Sequence, residues 1–488
     1  MDVEDFRKHG HELIDFIIDC LFSQEKELPN PKVETGYMSK LIPDKAPEDP
    51  DEWKDLLKDI QPVILDGITN LHSPNYHGFY PLRSSFPSIL GELLRHCFET
   101  PTANWMANPA GIELEMNMTN WLGKMLQLPE EFLFDKKRSG GGVILTSASE
   151  SVCTCLLAAR THTIREVKKT NPNLKDGEII TKLVSYTSAE AHPSVIKAGL
   201  ISCIEMRIIE TDSNGGVNTS ALEKAILSDI ENGLIPIFVC ANLGSTGCCG
   251  FDNLNEIGAV CNQHKIWMHI DAAYAGSAFI CPEYRYLLDG VELATSFNFN
   301  AHKWLEIAPP CSVLWVKNSK LLSEAFPVDL CAENNFDNKD KAPESPAEHI
   351  PVYRHWSLQF TRDFKSIKVW FQLRLMGIKA LQEIVRTDIS MAKLFESLVK
   401  EDNRFEIVVP VTLAVVCFRL KGTKKKTKDL LELIRADRRI FMIPSALNGI
   451  FFIRFVISSS KTTPKDVHFA WKVIQEKADQ LPQQLIEG

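Results

Sequence analysis

The sequence predicts an α/β protein: a large domain built on a mostly parallel sheet, a small α+β unit after it and a helical arm before it. Three observations predict this. Between residues 143 and 317, short apolar runs alternate with segments of helical period, the pattern of a sheet covered by helices on both faces. After about residue 376, two apolar strand-like stretches are mixed with two amphipathic helical ones. The first 85 residues carry helical period and prolines but no strand pattern. The expected divisions are 1–85, 86–375 and 376–488.

Taken in order, residues 5–24 space Phe6, Leu13, Ile14, Ile17, Ile18 and Leu21 at helical intervals. A proline-rich connector (29–50) follows, then helical patterns at 51–70 and 87–98. This opening portion is too small for a core of its own, so an arm packed on another surface, such as a second subunit, is expected. The strand runs are VILT (143–146), KLVSYT (182–187), IEMRIIE (204–210), LIPIFVCANL (234–243), IWMHIDAAY (266–274), SFNFNAH (296–302) and CSVLWVK (311–317). Helical segments at 149–169, 190–200, 219–231 and 253–264 separate several of them. In the last part, 405–421 and 451–457 read as strands, and 430–439 and 465–481 as helices.

Composition removes several classes of function. A net charge of −9 leaves no basic excess to neutralise phosphates, so a nucleic-acid partner is not expected. The one basic cluster, KGTKKKTK (421–428), reads as a short solvated loop. No apolar run reaches the ~18 residues of a membrane span. The acidic start lacks the basic-then-apolar pattern of a signal peptide. Thirteen cysteines occur without a C-x-x-C pair, which predicts reduced thiols in the cytoplasm and no metal site.

Four short stretches bear chemistry. GGGVILTSASE (140–150) is a glycine turn, a strand and a helix start, with Ser147 or Ser149 as N-cap. Free amides and hydroxyls at such a start suit a phosphate, and also suit a capped helix with no ligand. Asp271, in HIDAAYAGSAF, follows a buried strand. It can pair with a cationic ring nitrogen, or simply cap the next turn; Ala272 and Ala273 let a flat ligand approach. His192 stands at a loop–helix start, where it serves as an ordinary polar residue, a stacking partner or a proton donor. Lys303 follows the alternating SFNFNAH run, and is either solvated at the rim or held in a pocket. Together they supply a phosphate cradle, a partner for a pyridinium, a group for a ring face and an imine-forming lysine. Those are the protein's parts of a pyridoxal phosphate site, and in a parallel sheet they gather beyond the carboxyl ends of the strands.

The chain resembles the group II pyridoxal phosphate decarboxylases, and within them the aromatic-L-amino-acid decarboxylase family. The stretches that carry the likeness are NPAGIELEMNMTNWLGKML (108–126), GGGVILTSASE, AHPSVIKAGLI (191–201), FDNLNEIGAVCN (251–262), HIDAAYAGSAFICPE (269–283), SFNFNAHKW and YRHW (353–356). The resemblance implies fold type I of the pyridoxal phosphate enzymes and a homodimer with its site at the subunit interface. It implies Lys303 as the Schiff-base lysine and Asp271 as the partner of the pyridine nitrogen. Ala148, Ser149, Asn300 and His302 would surround the phosphate. His192 would stack on the ring, with Ala273 on the other face and Thr246 near the ring edge.

Against the family pattern, the substrate segment departs at several points. Leu82 and Arg83 replace small residues. Phe79-Tyr80 has the order of insect aldehyde-synthase relatives, although those carry asparagine in place of His192. Ala103 stands where a neighbouring subunit usually offers a phenylalanine, and Thr361 where dopa enzymes have glycine and histidine enzymes serine. Arg83 reads either as a partner for a polar or acidic substrate side chain or as a surface arginine. The loop VDLCAENNFDNKDKAPESPAEH (328–349) contains no tyrosine; Ala332 aligns with the family's proton-donating one. The expected reaction is decarboxylation of an L-amino acid, aromatic by family default, to an amine. An oxygen-consuming aldehyde synthase and a catalytically weak cofactor-binding protein are the alternatives.

Overall fold

The computed structural model describes residues 1–23, 28–31, 33–98, 100–327 and 349–481. The chain divides into two compact units. One comprises Leu82–Thr387 with Ala446–Gly449; the other comprises Met1–Pro81, Asp388–Ser445 and Ile450–Gly488.

The larger unit is built on seven described strands: β1 (Gly141–Leu145), β2 (Leu183–Ser188), β3 (Glu205–Ile209), β4 (Ile235–Asn242), β5 (Trp267–Asp271), β6 (Ser296–Asn300) and β7 (Ser312–Val316). Their order across the sheet is β1-β7-β6-β5-β4-β2-β3. Neighbours from β6 to β3 pair in parallel. β7 runs antiparallel to both β1 and β6, so β1 points the same way as the parallel strands. Every residue of β1, β2, β5, β6 and β7 is buried, which is why these strands read as short apolar runs. The helix Ala148–Thr170 covers one face, burying Val152, Cys155, Leu156 and Ala159.

In the other unit a four-stranded sheet of β8 (Phe405–Ile407), β9 (Val415–Leu420), β10 (Ile443–Leu447) and β11 (Ile450–Val456) has the order β10-β11-β9-β8. Phe395 stacks on Phe455 at 3.7 Å, and Trp471 meets Phe395 edge-on. Residues before Pro81 join this unit through backbone bonds: the His77 amide donates to Phe441 O (2.8 Å) and its Nδ1 donates to Val456 O (3.1 Å).

Several expectations need correcting. The stretch 405–421 is two antiparallel strands rather than one, because Pro410 cannot donate to a ladder and sits in the turn between them. The 51–70 pattern yields a helix only over Trp53–Asp59, followed by a π-turn and a 3₁₀ turn around Pro62. The basic cluster is not a loop: Lys424–Asp437 is a helix, with Lys425 paired to Asp429. The helix Pro109–Leu126 and the long helix Ser366–Glu401, broken at Gly377 (φ 70°), have no counterpart in the sequence expectations, and neither does β10.

Candidate active site

Five strands end at one edge of the large sheet, and each delivers part of the predicted site there. After β1, Ser147 rather than Ser149 is the N-cap of Ala148–Thr170; its Oγ accepts from the Glu150 amide at 3.2 Å. Glu150 closes the turn by accepting from the Thr146 amide (2.9 Å) and hydroxyl (2.6 Å). The amides of Ala148 and Ser149 are the first two of the helix, so they have no intrahelical acceptor. Ser149 is exposed and Ala148 buried.

Beyond β2, His192 is the N-cap of the helix Pro193–Ser202, which starts at its proline, three residues later than a 190–200 helix requires. The Ser194 amide donates to His192 Nδ1 at 3.2 Å, and the Ser194 hydroxyl lies 2.8 Å from the same nitrogen. With Nδ1 accepting, Nε2 carries the proton. The pKa of His192 is lowered, first by the protein packed around it; the Asp271 carboxylate raises it and the Lys303 ammonium lowers it further. The imidazole thus lies within electrostatic reach of both groups. His192 is exposed on the single chain.

The loop after β4 carries half-buried Thr246. It turns at Gly244, whose φ is +78° and where an added Cβ would lie 2.7 Å from Ala275 Cβ. No larger residue fits this turn without shifting the loop.

At the end of β5, Asp271 is 7% exposed. Its Oδ1 accepts from the Ala273 amide (3.0 Å) and from Asn298 Nδ2 (3.3 Å). Asp271 therefore caps its turn, yet Oδ2 receives no hydrogen bond among the described residues. Half-buried Ala273 follows.

β6 ends at Asn300, and Lys303 is not on the strand itself. It lies half-buried on a one-turn helix, Ala301–Trp304. His302 on the same turn is buried. Its Nδ1 accepts from the Cys311 amide at 2.9 Å, so its Nε2 is also the protonated nitrogen. Burial, and then the charge of Lys303, push its pKa down to about 4. It is a neutral donor at physiological pH.

The proposed substrate residues are more scattered. Phe79 and Tyr80 belong to the smaller unit, where Phe79 is exposed and Tyr80 lies under the Arg454 guanidinium at 4.9 Å. Leu82, exposed, and Arg83 belong to the larger unit. Arg83 is not a surface arginine: it is 5% exposed, with Nη1 3.8 Å from Glu306 Oε1. Ala103 is buried and its carbonyl accepts from the Arg354 amide (3.3 Å), whereas Thr361 is exposed. Ala332 lies outside the described residues.

The sequence reading missed two buried polar clusters of the larger unit. His269, Ser296 and Asn298 line up beside Asp271 on adjacent strands. Arg362, next to Thr361, forms a buried pair with Glu115. The first was marked by polar residues alternating with apolar ones in WMHID and SFNFN; the second has no local signal, because its partners are 247 residues apart.

The residues present suit pyridoxal phosphate. Asp271 Oδ2 is open to a ring nitrogen. Asn300 has a buried side-chain oxygen without a partner, an amide with unused capacity at the end of β6, and the open amides of Ala148 and Ser149 follow the end of β1. A mostly parallel α/β sheet with this set at its carboxyl edge is that of a pyridoxal phosphate enzyme.

Comparison with known proteins narrows the class. The family model described as the pyridoxal-dependent decarboxylase conserved domain matches residues 35–421. The chain is 44% identical to the aromatic-L-amino-acid decarboxylase of Mus musculus, over 98% of both chains. It is 40% identical to the 3,4-dihydroxyphenylacetaldehyde synthase of Aedes aegypti, over 99% of this chain and 91% of that one. The crystal structure of Oryza sativa TDC with PLP and tryptamine superposes with a TM-score of 0.92 at 30% identity, covering 98% of this chain and 99% of that one. The chain belongs to the pyridoxal-dependent decarboxylase family, within group II. Its cofactor is pyridoxal phosphate, and it is an amino-acid decarboxylase.

Proposed function

We propose that the protein decarboxylates an aromatic L-amino acid and releases the amine, as a homodimer in the cytoplasm. The observation that carries the amine product is the hydrogen-bonding of His192, which leaves Nε2 protonated beside Asp271 and Lys303. An aromatic substrate is supported by the names of the relatives and by Arg83, whose charge is answered inside the protein by Glu306. An acidic substrate side chain would have to compete with that carboxylate.

Pyridoxal phosphate, when bound, supplies an electron sink for the charge left on the substrate when carbon dioxide departs. The chain's own residues do the rest. Lys303 would hold the cofactor through its side-chain amine. Asp271 would pair with the ring nitrogen through Oδ2 and favour its protonated form. Ser147, Ala148, Ser149, Asn300 and His302 would hold the phosphate by neutral donors. Thr246 and Ala273 would border the ring. His192 Nε2–H delivers a proton to the substrate Cα, replacing the tyrosine that 328–349 lacks.

A second reading, the aldehyde synthase, is favoured by that missing tyrosine and by the Aedes aegypti relative. In it, dioxygen rather than a proton meets the charge at Cα. His192 favours the first reading.

The homodimer is supported by the helix Val3–Ser23, which leaves Phe6, Ile14 and Ile18 exposed on a single chain. The cytoplasm is supported by the free thiols of the described cysteines. Among the described residues, no helix is long and apolar enough to cross a membrane.

Borohydride reduction of the holoenzyme followed by peptide mapping tests the site. The cofactor should be fixed on Lys303, and Lys303→Ala should abolish both labelling and turnover. Labelling of another lysine would sink the assignment.

A further inference from the structure

We propose that His269 is a positioning residue for the cofactor. It is the central link of a one-way hydrogen-bond chain, Trp267 to Ser296 to His269 to Asn298 to Asp271, that fixes the Asp271 carboxylate through Oδ1 and leaves Oδ2 for the ring nitrogen. This rests on the reading of Asp271 as partner of that nitrogen.

The direction of the chain is set from both ends. An indole N–H only donates, so Trp267 Nε1 donates to Ser296 Oγ at 2.7 Å. An ionised carboxylate only accepts, so Asn298 must turn Nδ2 towards Asp271 Oδ1, at 3.3 Å. That places Asn298 Oδ1, an acceptor, 2.7 Å from His269 Nε2, which must therefore carry the proton. Nδ1 is then bare and accepts from the Ser296 hydroxyl at 2.7 Å. Each member meets a partner of the right sense. Ser296 still has a lone pair for the Cys155 thiol, its other hydrogen-bond partner.

Strand register builds this chain. Trp267, His269 and Asp271 alternate on one face of β5. On parallel β6, Ser296 stands opposite His269 and Asn298 opposite Asp271. All five side chains are buried, Ser296, Asn298 and His269 completely. Burial pushes the pKa of His269 down to about 4, so the ring stays neutral and keeps one donor and one acceptor. Phe238 stacks on it with ring centroids 5.9 Å apart. In such a dry setting, aligned hydrogen bonds polarise one another towards the terminal acceptor. A histidine kept only for packing would not need two fully matched polar neighbours.

The test uses holoenzyme of the wild type and of His269→Leu, His269→Gln, Ser296→Ala and Asp271→Asn. The readouts are the visible absorbance and circular dichroism of the bound cofactor and its dissociation constant. His269→Leu and Ser296→Ala should shift the absorption bands in the direction that Asp271→Asn does. His269→Leu should weaken cofactor binding about tenfold, the scale on which outer partners of a ligating group act. His269→Gln, whose amide also accepts and donates, should keep the wild-type spectrum. Wild-type spectra and affinity in folded His269→Leu and Ser296→Ala, beside a shifted Asp271→Asn, overturn the proposal and leave Asp271 in its role. An unchanged Asp271→Asn overturns the reading of Asp271, and the proposal with it. If His269→Leu does not fold, Ser296→Ala, which removes one oxygen, decides.

Discussion

Replacing Arg362 by methionine should cost about 3–5 kcal/mol of stability, the usual cost of stranding one member of a buried ion pair. The side chains of Arg362 and Glu115 are 1% and 0% exposed. Nη2 donates to Glu115 Oε1 at 2.6 Å and Nη1 to Oε2 at 3.3 Å, a two-point contact. The same guanidinium donates to Ile144 O (2.9 Å) and Thr102 O (3.2 Å), and lies over the Tyr353 ring. Without it, among the described residues Glu115 keeps only the Ile144 amide as a hydrogen-bond donor, at 2.8 Å. The two abandoned carbonyls add to the loss, though not as a simple sum. In the double variant Arg362→Met/Glu115→Gln the stranded charge is gone and the Ile144 amide keeps its acceptor, so most of the stability should return. Urea unfolding followed by far-UV circular dichroism and tryptophan fluorescence measures both changes. A loss under about 1 kcal/mol in the single variant, or no recovery in the double, would refute the reasoning.

Three further outcomes are expected. His77, His269 and His302 are each depressed to about 4, mainly by burial, so the unfolded chain binds their protons first as pH falls. Stability is then lost between about pH 6.5 and 4; Asp252, raised by burial to about 6, opposes this below that pH. The net slope of about two protons corresponds to about 3 kcal/mol per pH unit, and a flat urea midpoint between pH 7 and 5 would contradict it. His192→Gln should lower amine formation by about 10²–10⁴-fold, the contribution of a placed general acid, and raise oxygen uptake per turnover; an unchanged amine rate excludes His192 as the donor. Gly244→Ala should cost about 1–2 kcal/mol for its left-handed backbone and weaken cofactor binding by moving the Thr246 loop, both measurable by urea unfolding and cofactor titration.

The parallel sheet was legible because its strands are buried on both faces and so appear as short apolar runs between helical ones. The same rule placed Asp271, His302 and Lys303 at strand ends, since polar residues that close an apolar run stand out, whereas Asn300 entered only through the family resemblance. The strand was read on to His302 because the SFNFN alternation does not announce the helical turn that begins at Ala301. The helix Pro109–Leu126 was missed although Asn108-Pro109 is a start signal: Asn108 accepts from the Gly111 amide and Pro109 opens the first turn. Its apolar residues are spread around it, so no single face stands out. The hairpin in 405–421 was hidden by the hydrophobic run from Ile407 to Phe418, in which Pro410 is the one proline. Register and long-range pairing were beyond reach. Nothing local says that His269 faces Ser296, or that Glu115 meets Arg362.

The most direct test of the proposed chemistry is a stoichiometry. Purified holoenzyme would be given dopa, 5-hydroxytryptophan, tyrosine, histidine, aspartate and cysteine sulfinate separately, with carbon dioxide, dioxygen and organic product followed together. The expected result is one carbon dioxide and one amine per aromatic substrate consumed, with no oxygen uptake. Aldehyde with hydrogen peroxide and matching oxygen uptake, or turnover confined to the acidic substrates, would contradict it.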